Sequence, residues 1–187
     1  MEKQVIFRQW MNDHSDAMFR YALRCLGDEP LCKDILQETF LAAWRNMDSY
    51  RGEASAKNWL FVILKSKIID HLRKTHGKAT METIYLEYND HTFFDEEDHW
   101  RKGMYPKHWS VDFNNTVETK EFYKVFQACR SKLKQLQNTV FMMKYVDGLN
   151  SEDICKELSL STANYWVLIH RAKVQLRACL EKNWMQK

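Results

Sequence analysis

Cations are interspersed with an aromatic and an amide over residues 57 to 74, at Lys57, Asn58, Phe61, Lys65, Arg73 and Lys74. Ammonium and guanidinium groups hold phosphate oxygens and an aromatic ring stacks on an unpaired base, so this set suits opened nucleic acid. Covalent chemistry has no comparable set: the sequence shows no nucleophile with an adjacent base and no phosphate-cradling glycine loop. Asp95, Glu96, Glu97 and Asp98, near His91 and His99, raise a metal-dependent hydrolase. Consecutive carboxylates in an irregular stretch cannot all converge on one ion, however. A solvated acidic tether is favoured, and neither metal, cofactor nor catalysis is expected.

The cationic set needs a helix to carry it. From about Ala56 to Lys74, Leu60, Ile63, Leu64, Ile68 and Leu72 recur at helical spacing and predict a buried stripe opposite the cations. Tyr50 to Ser55 precede it as a loop, with Arg51 among the candidate DNA contacts, Gly52 freeing the backbone for a turn, and Ser55 placed to cap the helix. Upstream, a helix from about 31 to 47 is expected to bury Leu36, Thr39, Phe40, Ala43, Trp44 and Met47. That leaves Asp34, Gln37, Glu38, Leu41 and Arg45 facing out, as a surface for a partner.

A second basic unit follows further along. Helices are expected from about Thr119 to Lys134, burying Phe122, Val125, Phe126 and Cys129, and from about Gln137 to Val146, with Gly148 as a stop. Asn150 or Ser151 then caps a short helix with Ile154 and Leu158 inward, and Ser161 caps the last one. This is a helix-turn-helix pattern. If Tyr165, Leu168, Ile169, Ala172 and Leu176 are buried, then Thr162, Ala163, Trp166, Val167, His170, Arg171 and Lys173 face a major groove, with Ser161 and Asn164 at the start of the same helix. Trp166 and Val167 would meet thymine methyls, while His170 and Arg171 would reach base edges or phosphates. Packing of Trp166 against a neighbouring helix is the alternative.

The chain has 187 residues, 45% of them hydrophobic, with five glycines and two prolines. Helical periodicity with almost no strand-like alternation predicts an all-α fold of two small helical domains. Net charge is +3, but unevenly placed: residues 1–78 carry 13 Lys/Arg against 10 Asp/Glu, residues 79–118 carry 3 against 9, and residues 119–187 carry 12 against 6. Two basic modules thus flank an acidic, flexible linker, an arrangement suited to phosphate binding at both ends. Cys25, Cys32, Cys129, Cys155 and Cys179 show no close pairing, so they are expected as reduced helix residues, with thiol redox sensing left open. The N-terminus has no signal-like apolar region and the longest apolar run is too short for a bilayer; a cytoplasmic protein without membrane insertion is expected.

Asp34 to Trp44 resembles the polymerase-binding helix of bacterial sigma factors, and YRGEASAKNWL to IIDHLRK resembles their promoter-melting segment. NTVFMMKYVDGLNSEDICKELSLS and IHRAKVQL are similar to the supporting and recognition helices of sigma region four. On these motifs the chain is identified as similar to the extracytoplasmic-function (ECF) type of the sigma-70 family. The resemblance implies that residues 1–78 bind core RNA polymerase and melt the minus-ten element, that 79–118 link, and that 119–187 read the minus-thirty-five element. It implies promoter DNA and core polymerase as partners and admits an anti-sigma factor. By the same resemblance Phe93, Phe94 and Trp100 of the linker would run in basic channels of the polymerase. One departure stands out: Asn164 to Leu168 replaces a Thr-Val-Lys-Ser-Arg-like string, so a cation at the DNA face gives way to Trp166. A one-component helix-turn-helix regulator is the rival, but it gives Asp34 to Trp44 no role.

Overall fold

The computed structural model describes residues 2–76, 102 and 116–184. Seven α-helices occur among them: α1 (Glu2–Leu26), α2 (Glu29–Arg45), α3 (Ala56–His76), α4 (Thr116–Arg130), α5 (Gln135–Tyr145), α6 (Ser151–Leu158) and α7 (Thr162–Asn183), with a 3₁₀ turn at Met47–Ser49. The acidic run, His91, His99 and the linker aromatics lie outside the described residues.

The N-terminal half is a three-helix bundle, and its first helix was not among the expected elements. Phe7, Met18, Tyr21, Ala22, Cys25 and Leu26 of α1 are buried, their spacing marking one face of a helix. Gly27, at φ +72, ends α1, and Asp28 starts α2 by accepting the Leu31 amide at 3.0 Å, with Pro30 in the first turn. Burial in α2 is shifted one step from the expected stripe. Cys32, Ile35, Thr39, Phe40 and Ala43 are buried, whereas Leu36, Trp44 and Met47 are half-buried. Ser55 Oγ accepts the Asn58 amide at the start of α3, and Leu60, Leu64, Ile68 and Leu72 are buried beneath it.

In the C-terminal half Asn150 Oδ1 caps α6 by accepting the Asp153 amide at 2.8 Å, and Ser159 turns the chain in the left-handed region at φ 55. Ser161 Oγ accepts the Asn164 amide to begin α7. The two halves share one core. A single apolar cluster runs from Phe7, Met18 and Leu60 into Val140, Ile154, Tyr165 and Ile169. A smaller cluster holds α4 on α7 through Cys129, Leu133, Ala172, Leu176 and Leu180. Here the cysteine expectation is corrected, since Cys129 and Cys179 are disulfide-bonded with Cα atoms 5.6 Å apart. Sequence separation of 50 residues hid a pair that helix packing brings together. Cys25, Cys32 and Cys155 are unbonded.

Candidate nucleic-acid interface

Asp34, Gln37, Glu38, Leu41 and Arg45 are all exposed on one side of α2. Behind them Ile35, Thr39, Phe40 and Ala43 fix the helix on the bundle, and Thr39 Oγ1 donates back to the Ile35 carbonyl at 2.7 Å. Glu38 lies 3.6 Å from Lys67 of α3, an exposed pair of little energetic weight. Leu41 is 50% exposed, so the face offers an apolar contact among charges on a rigid backing.

Between α2 and α3 the loop is built on aromatics. Gly52 takes φ +75, and Tyr50 Oη donates to the Ala54 carbonyl at 2.5 Å, closing a tight turn. Trp10, Tyr50 and Trp59 form a ring cluster with centroids 5.0, 5.2 and 6.1 Å apart. Beside it opens a pocket of about 310 Å³ walled by Ser49, Tyr50, Arg51, Glu53, Ala54 and Trp59. It combines ring faces with a guanidinium, the two groups that hold a base and its phosphate. Trp10 and Trp59 were not among the expected site residues; the signal for Trp59 was its place within YRGEASAKNWL.

Along α3, Lys57, Asn58, Arg73 and Lys74 are exposed, but Phe61 and Lys65 are half-buried. For Lys65 the reason lies in the other half of the chain. Asp147, after α5, accepts Lys65 Nζ at 2.8 Å and Tyr21 Oη at 2.7 Å, and Phe61 packs edge-on to Tyr21 at 5.7 Å. Burial, with Cys25 and Asp147 adding to it, pushes the Tyr21 phenol far above its usual range. Arg73 Nε donates to the Glu157 carbonyl at the end of α6 at 2.6 Å. Two of the six expected strand contacts on α3, Lys65 and Arg73, are thereby engaged by the C-terminal half, while Phe61 packs within the N-terminal bundle.

The seam between the halves is a helix cap made in trans. The last carbonyls of α1 have no N–H partners of their own helix, and side chains around α5 supply them. Asn138 Nδ2 donates to Arg24 O at 2.6 Å and to Cys25 O at 2.8 Å, Thr139 Oγ1 to Cys25 O at 3.1 Å, and Gln135 Nε2 to Leu26 O at 3.3 Å. Arg130 Nη1 donates to Arg24 O and, at 2.7 Å, to Asn138 Oδ1. A guanidinium there also complements the negative end of the helix dipole. Tyr21, Lys65, Thr139, Met143 and Asp147 help line a cleft of about 480 Å³ along this seam.

On α7 the outward stripe is narrower than expected. Thr162, Ala163, Trp166, His170 and Lys173 are exposed, as is the capping Ser161. Trp166 is 56% exposed, its ring edge-on to Tyr165 at 5.1 Å. This removes the alternative in which it is a core residue. Lys173 lies over the Tyr145 ring at 5.6 Å. Arg171 and Asn164 are corrections, being buried at 8% and 6% exposure, and Val167 is half-buried. Asn164, Leu168 and Arg171 follow one another at four- and three-residue steps, so they share a stripe; α7 packs on α4, α5 and α6, and its covered face is wider than its apolar residues mark.

Comparison with known proteins follows the same division of the chain. The Sigma-70 region 2 family matches residues 10–77, and the Sigma-70, region 4 family matches residues 123–176. A "Probable RNA polymerase sigma factor" of Haemophilus influenzae is 35% identical over 166 residues, covering 88% of this chain and 84% of its own length. Two ECF RNA polymerase sigma factors of Bacillus subtilis are each 25% identical: SigM over 92% of this chain and 91% of its own, and SigW over 93% and 88%.

Proposed function

This chain belongs to the sigma-70 family, as an ECF-type RNA polymerase sigma factor that directs core polymerase to promoters, and we propose that its exposed faces divide that work as follows. Residues 1–78 form the core-binding and minus-ten module and residues 119–187 the minus-thirty-five module, with 79–118 joining them. Asp34, Gln37, Glu38, Leu41 and Arg45 dock on core polymerase, because they are exposed on a helix whose opposite side is fixed in the bundle. Trp166, His170, Thr162 and Lys173 meet the duplex in the major groove. Chemistry is left to the polymerase: the chain catalyses no step, and it acts in the compartment that holds the chromosome. An anti-sigma factor fits the same reading as a regulator.

The pocket of about 310 Å³ beside Tyr50 and Trp59 carries the melting role. A base flipped from the minus-ten duplex would stack there while Arg51 and Lys57 hold its phosphates, offsetting an unstacking cost of a few kcal/mol. Lys65 and Arg73 join the strand only once the halves separate. The test uses holoenzyme reconstituted from core polymerase and this chain on promoter DNA. Arg51→Ala should lower promoter opening roughly tenfold, from about 1–2 kcal/mol of lost strand contact, with core affinity unchanged. Asp34→Lys with Glu38→Lys should weaken core binding and leave thermal unfolding alone. Full opening by Arg51→Ala and full core affinity in the double variant would each remove the corresponding assignment.

A further inference from the structure

We propose that Cys129 and Cys179 are a reversible redox pair, oxidised to a disulfide by peroxides, whose state sets how firmly α4 is held and how tightly the two halves dock. The inference rests on the preceding reading in one respect: a protein acting on chromosomal DNA works among reduced thiol pools, where a disulfide is characteristically transient and redox-sensing.

The bond is placed where it matters mechanically. Helix α4 packs on α7 across a thin apolar seam, in which Phe122, Val125 and Phe126 are only half-buried, and Cys129 and Arg130 are its only buried side chains. With so little apolar area holding α4, the covalent link to α7 is a major part of its attachment. Arg130 follows Cys129 directly and reaches out of α4 to Arg24 O and Asn138 Oδ1 in the trans cap. Oxidation therefore holds Arg130 in the docking seam, keeping Lys65 and Arg73 engaged with the C-terminal half; reduction loosens α4, weakens the cap and makes those side chains available to a strand.

The two sulfurs differ in access. Cys129 is 2% exposed, whereas Cys179 is half-buried and its sulfur receives Asn183 Nδ2 at 3.4 Å, so Cys179 is the sulfur a peroxide reaches first. The Cys179 thiolate attacks a peroxide oxygen, the O–O bond breaks, and a sulfenic acid forms as the leaving oxygen departs as water. The Cys129 sulfur then attacks the Cys179 sulfur and displaces hydroxide, which is protonated to a second water. Two thiols are oxidised and one hydrogen peroxide is reduced to two waters. A small dithiol reverses the step by exchange. The three remaining cysteines are unbonded and disfavoured as thiolates: burial pushes Cys25 up to about 12 and Cys32 up to about 11, and it raises the half-buried Cys155 as well.

The experiment treats reduced full-length protein with hydrogen peroxide, then follows intact mass, amide exchange in α4, and run-off transcription by the reconstituted holoenzyme. The expected result is a loss of two hydrogens mapped to the 129–179 peptide pair, exchange in α4 slowed about tenfold, and transcription lowered severalfold and restored by dithiothreitol. Cys129→Ser and Cys179→Ser should each abolish all three responses while transcribing like the reduced protein. Absence of the disulfide in excess peroxide overturns the proposal, as does a disulfide that leaves α4 exchange and transcription unchanged. If neither redox state supports transcription but α4 exchange still responds to the bond, the redox pair stands and the sigma-factor assignment of the holoenzyme fails.

Discussion

Replacing Asn138 by Ala tests whether the trans cap holds the two halves together. The side chain is 5% exposed and makes three contacts, donating to Arg24 O and Cys25 O and accepting from Arg130. Neutral buried hydrogen bonds contribute about 0.5–1.5 kcal/mol each and one to a charged group about 1.5–3. The full sum overstates the loss, because Thr139 still serves Cys25 O and Arg130 still serves Arg24 O. We therefore expect about 2–4 kcal/mol, carried by the docking of the halves rather than by the folding of either bundle. Urea unfolding should show the loss, and small-angle scattering should show an increase over the radius of about 16 Å expected for a compact chain of this length. Promoter single strands should bind the variant more tightly, since Lys65 and Arg73 are released. A loss below about 1 kcal/mol with an unaltered radius would refute the reasoning, showing that water replaces the cap at no cost.

Two further outcomes can be measured on the same protein. Trp166→Ala should cost less than about 1 kcal/mol of stability, since the ring is 56% exposed, and should change base preference at one upstream promoter position; unchanged preference would take Trp166 off the reading face. At alkaline pH, Cys25 has a folded value raised to about 12 from an ordinary 9.0, so its contribution is intact below about pH 9 and is lost as pH rises toward 12, on the order of 4 kcal/mol at the upper end. Cys25→Ala should flatten that part of the stability profile, and a profile identical to the parent would exclude this thiol as the cause.

Much of the site was legible in the sequence because it lies on helices with clean periodicity. The outward set on α2 follows from the three- and four-residue steps beneath it, and the caps at Ser55, Asn150 and Ser161 follow from residue type and position. What escaped depends on the other half of the chain. Asn138 and Thr139 read locally as ordinary polar residues in a helix, and their partners are backbone carbonyls of α1, which carry no sequence signature. Arg130 reads as a solvated cation near a helix end, yet it is 7% exposed, with its desolvation lowering its pKa. The same blindness explains Arg171 and Asn164: a polar residue is placed outward by pattern, while a helix packed on three neighbours covers more than its apolar stripe.

These misreadings share a direction that bears on function. Lys65, Arg73 and Phe61 have the right chemistry for a melted strand, and their present partners are Asp147, a carbonyl of α6 and Tyr21. The partners are not equal in strength. Asp147 is a nearly buried carboxylate that also accepts from Tyr21, whereas Lys65 keeps 40% of its side chain in solvent. A phosphate can therefore compete for Lys65 from the open side, but Asp147 would then lose a counter-charge in a site that still excludes water from its other oxygen. Releasing the cation without leaving that carboxylate stranded requires the seam itself to open, so strand capture and separation of the halves are coupled steps. Asp147→Asn separates them: it removes the charge that holds Lys65 while keeping an oxygen to accept from Tyr21, and it should raise affinity for single-stranded DNA severalfold with less expansion than Asn138→Ala produces. Equal expansion in both variants would show that the ion pair carries as much of the docking as the trans cap, and that the two steps are not separable in this way.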